Sequence, residues 1–172
     1  LQVRRAHVIG VSMGGMIAQR LAWTAPERVI SLVSWMSSSG APDLPGPKPQ
    51  VLKAMATPSL NPGLEQAILN TQRLLNMIAS PAEREDPRVV AERLRQAVQR
   101  AYRPGGVLRQ MLAVMGDADR HELLADITRP TLVIHGREDP LLPLPCGEDT
   151  ARRIPGARLQ VIDGMGHDFP PI

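Results

Sequence analysis

Ala6-His7-Val8-Ile9-Gly10-Val11-Ser12-Met13-Gly14-Gly15 changes its period within ten residues. His7 to Val11 is a short run rich in β-branched residues, which reads as a strand. From Met13 the apolar side chains Met13, Ile17 and Leu21 fall four apart, which reads as a helix, and Pro26 closes the segment. A serine caught between the two periods is pushed outward on a sharp turn. Gly10 and Gly14 stand two residues to either side of Ser12, where a side chain would collide as the helix folds back over the strand. This is the Gly-x-Ser-x-Gly nucleophile-elbow pattern. A phosphate loop would need a Gly-Lys-Ser/Thr ending, and no lysine occurs before Lys48; a dinucleotide fingerprint would need glycine where Ser12 stands.

Outward from the elbow, Arg28 to Trp35 reads as a second buried strand, so strand, helix and strand form a right-handed parallel unit. Pro42, Pro45, Gly46, Pro47 and Pro49 then mark a linker over 41–50. From 51 to 127 the period is helical, with breaks expected at Pro58, Pro62-Gly63, Ser80-Pro81, Asp86-Pro87 and Pro104-Gly105-Gly106. Leu64, Ile68, Leu75 and Ile78 make one apolar stripe. Val89, Val90, Leu94, Ala97 and Val98 make another, capped by Asp86 with Pro87 at the first helical position. Met55, Met77, Met111 and Met115 are expected to fill core gaps, the alternative being an adaptable pocket lining. Strands return at Pro130 to Gly136 and Arg158 to Ile162, separated by a helix from about Leu144 to Ile154. The expectation is an α/β protein with a parallel sheet of about four strands: core at 1–40 and 128–172, and a helical cap or lid inserted over 41–127.

The 172 residues suit one domain, and the net charge of +3 comes from arginines scattered among acidic residues along helical stretches. That pattern indicates solvated helix faces and no nucleic-acid footprint, and two Trp, one Tyr and one Phe are too few for base-stacking platforms. Cys146 is the single cysteine, so it is expected to be a free thiol. With no apolar run of membrane-spanning length and no signal-peptide pattern at Leu1 to Arg5, the expectation is a cytoplasmic protein without membrane contact, metal or cofactor.

A serine hydroxyl attacks only when a base removes its proton, and the base needs an acid to orient it. Among the histidines, His7 lies in the elbow strand and should point into the sheet or its covering helix, His121 lies in a helical stretch and His135 ends a strand. His167, in Gly164-Met165-Gly166-His167-Asp168 after the final strand, has room to present its imidazole. For the acid, Asp139 follows a buried strand at its carboxyl end, the edge where open parallel sheets place ligands, and Glu138 is its rival. Asp163 and Asp168 share the loop of His167 and read as turn formers. Ser12, Asp139 and His167 fall in the chain order expected of this architecture.

With these three motifs the chain resembles the α/β-hydrolase fold family. The residues that carry the resemblance are Gly10-Val11-Ser12-Met13-Gly14-Gly15, Thr131 to Pro140 and Gly164-Met165-Gly166-His167. It is most similar to cofactor-free esterases of the aclacinomycin methylesterase type, through Leu44-Pro45-Gly46-Pro47 and Gly164 to Asp168. The resemblance implies a small-molecule carboxylic ester as substrate, with Ser12 as nucleophile, His167 as base, Asp139 as acid and the Met13 N–H as an oxyanion donor. Iminopeptidase, carbon–carbon hydrolase and perhydrolase chemistry use the same machinery and stay open. Members normally carry four further strands before the elbow and a His-Gly loop that supplies a second oxyanion donor. No counterpart is present, so the chain reads as a hydrolase shortened at both ends. The rival expectation is therefore an inactive or incomplete hydrolase. Its elbow strand, exposed along one edge, is expected to favour self-association.

Overall fold

A computed structural model describes residues 3–56, 63–81, 85–101 and 103–169. Four strands, β1 (Ala6–Val11), β2 (Val29–Trp35), β3 (Thr131–Gly136) and β4 (Arg158–Ile162), pair in parallel in the order β1-β2-β3-β4. Helix α1 (Met13–Thr24) crosses from β1 to β2, and α7 (Leu144–Arg153) from β3 to β4. Both lie on one face of the sheet, as right-handed crossovers running in one direction require. Ala18 and Ala22 of α1, Val29 and Leu32 of β2, Leu124, Ile127 and Ile154 form the core there. Register and alternation put His7, Ile9 and Val11, then Val33 and Trp35, then Leu132 and Ile134 on the opposite face. His7 thus departs from the expectation that it points inward: it is exposed and hydrogen-bonds Ser31 Oγ at 2.7 Å.

Between β2 and β3 come α2 (Pro49–Ala56), α3 (Leu64–Ile78), α4 (Pro87–Ala101), α5 (Pro104–Gly116) and the short α6 (Arg120–Leu123). The expected breaks at Pro58 and Pro62 lie outside the described residues. The helical run breaks between α4 and α5 just before Pro104, but Gly105 and Gly106 belong to α5, because proline at the first helical position gives up only an N–H that has no partner in the helix. Asp86 caps α4 as the sequence indicates, accepting the Arg88 N–H at 2.8 Å. The helical stripes bury less than their pattern suggests: Val90 is the buried residue of α4, and Val89 is 55% exposed. Met77, Met111 and Met115 are exposed and not core fillers.

Arg120 departs furthest from the picture of solvated arginines, being 1% exposed. Its guanidinium donates to Gln19 Oε1 on α1 at 3.0 Å, to the Ser38 carbonyl after β2 at 3.2 Å, and to Asp117. Gln19 in turn donates to Ser34 Oγ at 3.0 Å, so one buried network ties the end of the helical segment to its beginning and to α1. Cys146 on α7 is 2% exposed, with its thiol toward the Pro45 carbonyl. Among the described residues, no helix is long and apolar enough to cross a membrane, and no group of three or more His, Cys, Asp or Glu could hold a metal ion.

Candidate active site

Ser12 sits between β1 and α1 with φ 53° and ψ −121°, a backbone conformation that costs about 1–3 kcal/mol and persists only where the surroundings impose it. Here they do. Its N–H donates to the Trp35 carbonyl at 2.9 Å, and its own carbonyl accepts the Gly15 N–H at 2.9 Å and the Ser37 hydroxyl at 2.8 Å. A Cβ on Gly10 would stand 2.1 Å from the Gly14 carbonyl oxygen, so glycine is required there. The same expectation fails at Gly14, where an added Cβ meets nothing within 4 Å. The tight place is Gly15, where a Cβ would lie 2.5 Å from that of Ser37.

Asp139 and His167 come from the loops after β3 and β4, so all three residues gather at the carboxyl edge of the sheet. His167 Nδ1 lies 2.6 Å from Asp139 Oδ2, and its Nε2 lies 2.9 Å from Ser12 Oγ. A carboxylate can only accept, so Nδ1 donates; in the neutral imidazole Nε2 is then left to accept from the Ser12 hydroxyl. Asp139 is 2% exposed, and its Oδ1 accepts the Leu141 and Leu142 N–H groups, both at 2.9 Å. Glu138, the rival acid, points elsewhere: its Oε2 accepts the Gly164 N–H at 2.7 Å, tying the two loops together. Met13 opens α1, where its N–H has no intrahelical acceptor and the helix dipole favours negative charge.

Two contributors escaped the sequence reading. His135 is fully buried and faces Gly147 of α7, where a Cβ would stand 2.5 Å from Nδ1. Its Nε2 donates to the Leu142 carbonyl at 2.7 Å and so fixes the turn that carries Asp139; burial holds its imidazole below the ordinary value. Asp168 is not a mere turn former, since both its oxygens accept from Ser80. Asp163 forms a surface ion pair with Arg137 at 2.5 Å.

A cavity of about 390 Å³ opens over Ser12 and His167, walled by Met36, Leu75, Ile78 and Val90, with the Glu85–Arg93 pair also on its lining. That pair is bidentate, at 2.9 and 2.6 Å, which satisfies the guanidinium within the protein. A larger cavity of about 710 Å³ lies between α1 and α5 and shares only Met13 with the site.

A profile of the α/β-hydrolase fold matches residues 1–170. The chain belongs to the α/β-hydrolase fold family. The chain is 37% identical over 169 residues to a poly(3-hydroxyalkanoate) depolymerase of Ectopseudomonas oleovorans, an alignment covering 98% of the chain and 56% of that relative. It is 31% identical over 190 residues to the rhodomycin D methylesterase DnrP of Streptomyces peucetius, covering 98% and 63% respectively. Among solved structures, it superposes on a meta-cleavage product hydrolase of Pseudomonas fluorescens with a TM-score of 0.70 at 27% identity, over 96% of this chain and 59% of that one. The α/β-hydrolase chain thus spans 56% and 63% of the two curated relatives' lengths.

Proposed function

We propose that the protein is a serine hydrolase that cleaves a carboxylic ester. The observation that carries this reading is the unbroken hydrogen-bonded series from Ser12 Oγ through His167 to Asp139. Ser12 Oγ attacks the ester carbonyl while His167 Nε2 takes the hydroxyl proton, and the Asp139 carboxylate steadies the imidazolium that results. The negative charge formed on the carbonyl oxygen is met by the Met13 N–H at the start of α1. Collapse expels the alcohol, which receives the proton from His167, and leaves the acyl group on Ser12. Water, deprotonated by His167, then releases the acid and restores the serine.

The apolar walls of the cavity suit an aliphatic acyl group, and Arg93, the cation of its lining among the described residues, is already paired with Glu85. Esters of hydroxyalkanoic acids are therefore the first class to test, in keeping with the substrate named for the 37%-identical depolymerase. Fluorophosphonate labelling provides the direct test: the chain should label at Ser12, and Ser12→Ala, His167→Ala and Asp139→Ala should each suppress reactivity, with non-additive losses. Glu138→Gln should keep most of it. Labelling that survives Ser12→Ala, or a larger loss at Glu138 than at Asp139, would overturn the assignment.

A further inference from the structure

Three successive residues of the loop after β4 bond to the carboxyl end of α3, a helix that lines the same cavity. The Gly166 N–H donates to Ser80 Oγ at 2.9 Å, and the His167 N–H donates to the Ile78 carbonyl at 2.7 Å. Asp168 completes the set: its Oδ1 accepts the Ser80 hydroxyl at 2.5 Å and its Oδ2 the Ser80 N–H at 2.9 Å. Ser80 has no exposed surface. No side chain separates the two backbones, because a Cβ on Gly166 would stand 2.6 Å from the Ile78 carbonyl oxygen.

Asp139 fixes the rotation of the imidazole through Nδ1, but it does not fix the backbone from which the imidazole hangs. The contacts with α3 do. A carboxylate that accepts two hydrogen bonds holds more firmly than a neutral acceptor would. Ile78, Ala79 and Asp168 also line the cavity over Ser12, so a shift of α3 would move the cavity wall and the histidine loop together.

We infer that Asp168 and Ser80 are positioning residues: their contact locks the loop of His167 to α3, so the imidazole reaches Ser12 only while α3 is seated. The inference rests on the proposed reaction for the pairing of Ser12 with His167. An error of about 1 Å in such a pairing costs on the order of a hundredfold in rate.

The test compares Asp168→Ala, Ser80→Ala, their double variant and Asp168→Asn in the full chain. One readout is the rate of fluorophosphonate labelling at Ser12 as a function of pH. The other is the NMR resonance of the His167 Nδ1 proton, which reports imidazole order without any reaction. Each alanine variant should label about ten- to a hundredfold more slowly and broaden the Nδ1 proton, and the double variant should be no slower than the slower single. Asp168→Asn keeps an acceptor for the Ser80 N–H and should recover part of the rate; it also carries the test if the alanine variants do not fold. Folded variants that label within twofold of the wild type, with its pH profile and a sharp Nδ1 proton, would overturn the inference. So would losses that multiply in the double variant. A wild type that does not label, but whose Nδ1 proton is sharp and broadens in Asp168→Ala, would sink the hydrolase reading while supporting the lock.

Discussion

Gly14 and Gly15 are neighbours with opposite surroundings. At Gly14 the space is open and φ is not positive, so the residue gives a helix only the flexibility that glycine always brings. Gly14→Ala should therefore stabilise the fold by about 0.5–1 kcal/mol, read as a shift in urea midpoint at unchanged slope. Gly15→Ala should do the reverse, because the added methyl meets Ser37, whose hydroxyl holds the Ser12 carbonyl. Gly10→Ala should be the worst of the three, since its obstacle is the backbone of Gly14. The Gly-x-Ser-x-Gly spacing alone treats the two flanking glycines as equals. The demand for glycine at position 15 comes from Ser37, in the chain after β2, which no local pattern encodes.

At the scale of elements, the helical segment is held by polar contacts as much as by apolar ones. Arg120 joins three elements from a buried position, so Arg120→Ala should cost about 3–5 kcal/mol in chemical denaturation, taking the guanidinium donor away from Gln19 Oε1 and the Ser38 carbonyl. Arg120→Met, which fills the space without a charge, should cost less. The acid loop has its own dependence, on pH. Burial keeps the His135 imidazole below its ordinary value of 6.5, outweighing the upward pull of the Leu142 carbonyl and Asp139. As pH falls below 6.5 the unfolded chain therefore gains a proton that the folded chain resists, and stability present above that pH is lost on acidification. Urea unfolding at about pH 7.5 and 5.5 should show the decline, and His135→Gln, which keeps a donor for Leu142, should flatten it. Ser12, Asp139 and His167 were legible because each sits in a local signature: a glycine-flanked turn, a strand end and a glycine loop. The Arg120–Ser38 and Asp168–Ser80 contacts join positions 82 and 88 residues apart, and a lone arginine or serine in a helical stretch carries no mark of its distant partner.

Over the whole molecule, the crossover helices lie on one face of the sheet, and among the described residues its outer strands β1 and β4 each pair on one side only. α1 and α7 cover the first face; on the second, Ile9 is 65% exposed and Trp35 and Leu132 are half-buried. Among the described residues no strand pairs with the outer edge of β1. A flat apolar edge is a template for pairing with another copy, so this chain alone should self-associate, giving a mass above that of a monomer in size-exclusion chromatography with light scattering. Ile9→Lys on that strand should shift it toward monomer; a monomer independent of concentration in the wild type would refute the expectation. The parallel strands and the inserted helices were readable from hydrophobic period and proline position. The extent of helix exposure was not, because a stripe shows which side of a helix is apolar and not whether anything lies against it. Cys146, seated between α7 and the Pro45 carbonyl, gives this molecule a built-in clock. As the single thiol, buried and with its ionisation pushed up by burial, it can meet an alkylating reagent only when α7 parts from the proline-rich segment, so the pace of its modification times that parting one molecule at a time.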